Sequence, residues 1–195
     1  MLSRSKFLRL VPHRLARCHR WQLLRDARDW VVAISALGRV GLWEHAGRML
    51  EAMKAEQGVA VQAFNATMSS LGRAYRWPAA VELFHGIHRY VLRPDAVTCN
   101  TLLSAYDRGG HWQRAQAFLD EMANYGIQPN VVSYSTVMSS CERGRAWEQA
   151  LQVFSRMLHC NIDGDGVVFN AALAACDRGS RWLEAAGALI DLALR

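Results

Sequence analysis

Four polar side chains, Asn65, Asn100, Ser135 and Asn170, recur at intervals of 35 residues. An amide or a hydroxyl both donates and accepts hydrogen bonds, so such a ladder could meet the polar edges of a ligand rung by rung. Arginines keep nearly the same step: Arg39, Arg73, Arg108, Arg143 and Arg178. A row of guanidiniums, one per step, is what tracking a chain of phosphates requires. Asp107, Glu142 and Asp177 precede three of these arginines, and the plainer reading there is a local surface ion pair of small value. A single Asn or Ser near a helix start is more often a cap than a ligand contact, and only recurrence in register argues otherwise.

Catalytic and metal chemistry find little support. His85 and His88 share a helix face and read as solvent-exposed side chains rather than a metal site. No Gly-rich phosphate loop, nucleophile–base set, C-x-x-C or paired Cys/His spacing occurs, so neither a cofactor nor a metal is expected. Cys99, Cys141 and Cys176 sit at apolar positions as small core residues, and five scattered cysteines fit a reducing compartment. No run of eighteen apolar residues is present, so no membrane span is expected.

The elements that position the ladders follow from five of the seven tryptophans, Trp43, Trp77, Trp112, Trp147 and Trp182, with gaps of 34, 35, 35 and 35. Three, seven and ten residues after each stand Ala, a Leu or Phe, and a Met, Ile or Leu, which is one face of a helix. Thirteen, nine and six residues before each lie further apolar side chains, such as Phe64, Met68 and Leu71, which form the buried stripe of a preceding helix. Short turns separate the two, Arg108-Gly109-Gly110, Arg143-Gly144-Arg145 and Arg178-Gly179-Ser180, where glycine suits the left-handed residue that ends a helix. Pro94 and Pro129 fall in the links between units. A hairpin cannot bury both its faces alone, but stacked neighbours can. The expected fold is all-α, a solenoid of helix-turn-helix repeats of about 35 residues spanning 27–195. Its units are 27–60, 61–95, 96–130, 131–165 and a partial 166–195.

The formal charge of +6 is unevenly spread. Residues 1–25 hold seven Lys or Arg and no acid, which leaves 16 basic against 17 acidic residues in the rest. The repeat body is therefore close to neutral, and any affinity for a polyanion must come from arrangement rather than bulk charge. The arginine-rich segment 1–26, free of acids up to residue 25, reads as a transit peptide, for the mitochondrion ahead of the plastid.

The segments Pro94-Asp95-Ala96-Val97-Thr98-Cys99-Asn100-Thr101-Leu102-Leu103 and Pro129-Asn130-Val131-Val132-Ser133-Tyr134-Ser135-Thr136-Val137-Met138 occupy equivalent places. Together with Trp112-Gln113-Arg114-Ala115 and Phe118-Leu119-Asp120-Glu121-Met122 they closely resemble the pentatricopeptide repeat family. The likeness is strong over 61–187 and separates the chain from the tetratricopeptide arrays, which bind peptides. It implies a right-handed superhelix whose first helices line a concave groove and bind single-stranded RNA at one base per repeat. The family's base-reading residues map onto Asn65 with Asp95, Asn100 with Asn130, and Ser135 with Asp165, implying uracil, a pyrimidine and guanine. Asn170 has no partner before the chain ends. Val31 with Ala60 carries no group able to read, so the first unit is expected to act as a cap. Base-packing residues map onto Gln62, Val97, Val132 and Val167, and Gln62 departs from the family's apolar residue. Phosphate contacts map onto Arg73, Arg108, Arg143 and Arg178.

Stacking contributes roughly 1–3 kcal/mol per base in single-strand binders, so three or four reading units reach only about micromolar affinity after ordering costs. Weak, short-site RNA binding without catalysis is the expected activity, in organellar RNA processing, stability or translation. It would be stronger in a homodimer or with a protein partner. A scaffold whose concave groove holds a protein or peptide is the alternative, and a carrier for an enzyme partner a third.

Overall fold

An apolar helix face with no partner in its own hairpin must find one in the next, and that requirement dictates the architecture. The structure, a computed structural model, describes residues 26–56, 60–90, 92–160, 162 and 166–178. The basic segment 1–25 lies outside these. Among the described residues there are nine α-helices and no strand: α1 Ala27–Val40, α2 Trp43–Glu56, α3 Val61–Arg73, α4 Trp77–Gly86, α5 Ala96–Arg108, α6 Trp112–Glu121, α7 Val131–Arg143, α8 Trp147–His159 and α9 Gly166–Arg178. One turn of 3-10 helix, Ile87–Tyr90 and Met122–Tyr125, extends α4 and α6. The odd-numbered helices pack on one another in series, from α1 to α9. Each of α2, α4, α6 and α8 wedges between the odd helices before and after it. This is the expected α-solenoid, with the odd helices as its continuous layer.

The core follows the sequence periodicity. Trp30, Phe64, Cys99 and Tyr134 are buried, as are Ile34, Met68, Leu103 and Met138 one turn later. Ala46, Ala80, Ala115 and Ala150 are fully buried, where the small side chain lets the neighbouring helix approach. Phe169 departs from the pattern: it is 41% exposed, although its ring still packs on Phe154 at 5.5 Å. Aromatic contacts also tie successive hairpins. The Phe84 ring meets Phe118 and Tyr125 edge-on at 5.2 and 5.4 Å, the geometry aromatic quadrupoles favour.

Trp43, Trp77, Trp112 and Trp147 are only half-buried, because each lies at a seam between hairpins, while Trp182 lies outside the described residues. The Trp77 ring lies against the next turn, 4.4 Å from the His111 ring, with the Arg114 guanidinium 4.5 Å over it. The Arg76 guanidinium covers Trp43 likewise at 4.8 Å. This seam explains Gly109 and Gly144, and for a different reason than helix ending by a left-handed residue, the role that Gly110 does take. Gly109 and Gly144 have ordinary φ of −74° and −76°. The left-handed residue follows them: Gly110 at φ 73°, Arg145 at 57° and, in the unit before, Tyr75 at 58°. The helix ends share one hydrogen-bond pattern: the left-handed residue's N–H donates three residues back, and the next N–H donates five back. The bonds are Arg145 to Glu142 and Ala146 to Cys141, Gly110 to Asp107 and His111 to Tyr106, Tyr75 to Gly72 and Arg76 to Leu71. Gly109 and Gly144 instead make room for indole. A Cβ on Gly109 would lie 2.8 Å from Trp77 Cδ1, and one on Gly144 would overlap the Trp112 ring.

Two substitutions separate these roles in urea unfolding. Gly144→Ala lowers stability by about 1–3 kcal/mol through overpacking against Trp112. Arg145→Gly, which relieves a left-handed backbone, leaves stability equal or raises it by up to about 1 kcal/mol. Equal effects of both would refute the assignment.

Candidate functional site

The positions singled out by the ladder lie at the start of the odd-numbered helices, where the chain turns in after Pro94 and Pro129. Asp95 is the N-cap of α5: its Oδ1 accepts from the Thr98 amide at 2.7 Å and from the Thr98 hydroxyl at 2.7 Å. Asn130 caps α7 in the same way, its Oδ1 accepting from the Ser133 amide at 3.0 Å. The backbone N–H of each cap returns a bond to the same hydroxyl, at 3.3 and 3.2 Å. Both are capping boxes, which serve helix ends whose amides lack intrahelical partners. The capping role that the sequence allows therefore applies to Asp95 and Asn130. Asn65, Asn100 and Ser135 lie more than a turn inside their helices and do not cap. The Ser135 hydroxyl donates to the Val132 carbonyl at 3.1 Å.

The structure brings two of the three expected pairs together. Asn100 Nδ2 donates to Asn130 Oδ1 at 3.3 Å, and the Asn65 side chain lies near enough to the Asp95 carboxylate to help lower its pKa. Burial alone pulls the Asp95 carboxyl up, but the Thr98 side chain and backbone and Asn65 together hold it below the ordinary carboxylate value. The third pair is incomplete, since Asp165 lies outside the described residues, as do the side chains of Val167 and Arg178. Asn170 is exposed on α9.

A cleft of about 440 Å³ lies over α3, α5 and α7. Asn100 and Asn130 line it between two valines, Val97 and Val132, which are 61% and 55% exposed. Gly72 and Ala105 line it where α3 and α5 touch, and Arg108 completes it. An amide pair between two exposed apolar side chains, beside a cation, suits a planar group with polar edges and an anionic tether. The equivalent cleft in the first unit, about 480 Å³, is lined by Val31, Val32, Ala60, Gln62 and Arg28. It offers one amide, the exposed Gln62, and no reading pair.

Arg39, Arg73, Arg108 and Arg143 are exposed at the ends of their helices. Burial, then repulsion from Arg108 and Arg39, pulls the Arg73 guanidinium down, so these three charges lie within electrostatic reach in one row. The local pairing of Asp107 with Arg108 is not what forms. Asp107 instead reaches across units to Arg143, whose guanidinium also contacts Ser139. Burial pushes the Asp107 carboxyl up, opposed by Arg143 and Arg108. Arg73 and Arg108 make no ion pair among the described residues. Arg143 is already engaged.

Thr98 and Ser133 were not singled out in the sequence, yet both are fully buried and organise the site. Their signal was present: Asp-x-x-Thr and Asn-x-x-Ser directly before an apolar run are capping-box spacings. Burial pushes the Cys99 and Cys141 thiols up to about 11, in keeping with core residues. His88 stacks on Tyr125 at 5.9 Å. Among the described residues, no three His, Cys, Asp or Glu side chains gather as a metal site, and no helix is long and apolar enough to cross a membrane.

Comparison with known proteins bears on this arrangement. The PPR repeat family model matches residues 94–143, and the PPR repeat model matches residues 29–57 and 132–162. Among solved structures, the pentatricopeptide repeat protein PPR10 in complex with an 18-nt psaJ RNA element is 28% identical. It superposes with a TM-score of 0.68 over 86% of this chain and 25% of its own. The PPR domain of Arabidopsis thaliana protein-only RNase P 1, in complex with tRNA, is 15% identical with a TM-score of 0.65, over 83% of this chain and 87% of that one. A structure of PPR10 from maize is 24% identical with a TM-score of 0.53, over 97% and 34%. The last two likenesses show the fold alone. This chain spans about a quarter of the PPR10 chain bound to psaJ RNA, and no curated protein matches it.

The capping boxes give a pH-dependent expectation. Asp95 has a lowered folded-state pKa, so its contribution is complete above the unfolded carboxylate range and is lost as pH falls through the lowered value. Asp95→Ala costs about 1 kcal/mol at neutral pH, and Asp95→Asn costs less while flattening stability between about pH 5 and 3. Urea midpoints across that range measure both, and an unchanged acid limb in Asp95→Asn would refute the assignment.

Proposed function

Because the chain belongs to the pentatricopeptide repeat family, we propose that it binds single-stranded RNA along the groove of its odd-numbered helices, at one base per repeat. The observation that carries the reading is the cleft where Asn100 and Asn130 lie between the exposed Val97 and Val132, with Arg108 beside them. A base would slide between the valines, its edge meeting the amides, and its phosphate would face the arginine. Asn65 with Asp95 reads the preceding base over Gln62, and Ser135 with Asp165 the following one over Val167, giving a site of the form uracil, pyrimidine, guanine. Arg73, Arg108 and Arg178 meet phosphates, while Arg143 must first leave Asp107. The 28% identical PPR10 structure is a complex with RNA, which supports the class of ligand.

The reading assigns no reaction to the chain. It places the protein in organellar RNA metabolism, in processing, stability or translation, with the mitochondrion ahead of the plastid on the strength of the basic segment 1–25. So short a site binds weakly alone, and a second copy or a protein partner would extend it. The near-neutral repeat body and the engaged Arg143 favour one competing reading, a scaffold that holds a protein in the same groove.

Fluorescent 8-mer RNAs carrying uracil-pyrimidine-guanine, titrated against scrambled controls, decide between them. Asn100→Ala weakens the cognate RNA by about fivefold to tenfold, the worth of one or two hydrogen bonds to a base. Arg108→Gln weakens all RNAs alike and lowers the salt slope by about 1. Binding that is absent, or indifferent to sequence, salt and both substitutions, would support the scaffold and sink the RNA reading.

A further inference from the structure

We infer that Ser133 is a positioning residue for the amide of Asn100, and that the charge of the helix cap decides whether a capping hydroxyl is free for that task. The inference rests on the RNA reading above only for its consequence. A serine or threonine hydroxyl has a single proton to give. Thr98 gives its proton to the Asp95 carboxylate at 2.7 Å, a charge-assisted bond. At Asn130 the cap is neutral, and its Oδ1 already accepts from the Ser133 amide and from Asn100 Nδ2. The Ser133 hydroxyl lies 3.1 Å from that oxygen but 2.6 Å from Asn100 Oδ1, and there its proton goes. Ser133 and Thr98 are both fully buried, so water does not compete.

The orientation of the Asn100 amide follows without ambiguity. Asn130 Oδ1 receives a backbone N–H and must be oxygen, so the Asn100 atom facing it is nitrogen, and the other is the oxygen that Ser133 holds. Asn100 therefore presents its remaining N–H to the cleft as a donor. Asn65 differs although the residue type is the same. Its Oδ1 is shielded without a hydrogen-bond partner, because the Thr98 hydroxyl is spent on the Asp95 carboxylate. Asn65 gains a bond by turning its carbonyl onto a ligand donor, whereas Asn100 must break one to do so.

The experiment varies the nucleotide opposite Asn100 between cytosine, which has an acceptor at N3, and uracil, which has N3–H. Ser133→Ala lowers the cytosine-to-uracil affinity ratio by about threefold to tenfold, Ser133→Thr restores it, and preference opposite Asn65 does not move. An unchanged ratio in Ser133→Ala overturns the inference. Should the wild type not prefer the cognate RNA at all, the RNA reading falls, and folding decides this one. Double-mutant cycles then show Ser133 and Asn100 coupled by about threefold or more in the unfolding constant, and Thr98 and Asn65 additive. Equal coupling in the two pairs, or none at Ser133 and Asn100, overturns it.

Discussion

No hairpin in this chain can bury its own apolar stripe, and every other feature depends on how the next hairpin supplies the missing surface. The odd helices meet in series, closely enough that a Cβ on Gly72 would lie 3.1 Å from Ala105 Cβ. The even helices wedge behind them, with Ala46, Ala80, Ala115 and Ala150 fully buried. The tryptophans then close each seam against the following turn, Trp77 on Gly109 and Trp112 on Gly144. Stability in such an array comes from nearest-neighbour interfaces, so equal spacing along the odd helices is a consequence of packing. The groove inherits that spacing: side chains at equivalent sequence positions fall at equivalent depths without any interaction among themselves.

Periodicity made the helices and the buried stripe legible, because a helical apolar pattern that returns at a constant step is satisfied only when each hairpin packs on its neighbour. The burial of Phe64, Cys99 and Tyr134 follows from it directly. The function of the turn glycines did not, since a glycine near a helix end has two uses and spacing does not distinguish them. Only the position of the indole shows that Gly109 and Gly144 serve close approach, while Arg145 and Tyr75 take the left-handed backbone without glycine. The first unit was legible as irregular, and Val31, Ala60 and Gln62 line a cleft with no reading pair.

The candidate site was legible as a set of positions rather than as a hydrogen-bond state. Asn65 and Asn100 stand out by register, the resemblance pairs them with Asp95 and Asn130, and Asn100 is hydrogen-bonded to Asn130. Which atom of each amide is already engaged depends on one buried hydroxyl and on whether the cap is charged, and the partners of Asn100, Asn130 and Ser133, lie 30 and 33 residues further along the chain. The same separation hides the fate of the arginines. Asp107 precedes Arg108 in sequence, but one helical step turns them apart, and the carboxylate meets Arg143 from the next hairpin.

The two cap residues couple folding to recognition. Asp95 and Asn130 each hold the first turn of a helix through a capping box, and each also faces the amide expected to meet a base. A cap tolerates Asp and Asn almost equally, so the helix end does not dictate which of the two stands there. The choice between them leaves the fold intact and changes only the charge and acceptor capacity presented to the groove. Replacement by an apolar residue, as at Ala60, forfeits both roles at once: that N-cap makes no side-chain bond, and its cleft lacks a reading pair. Structural tolerance for that interchange lets what this position accepts change without cost to the helix end.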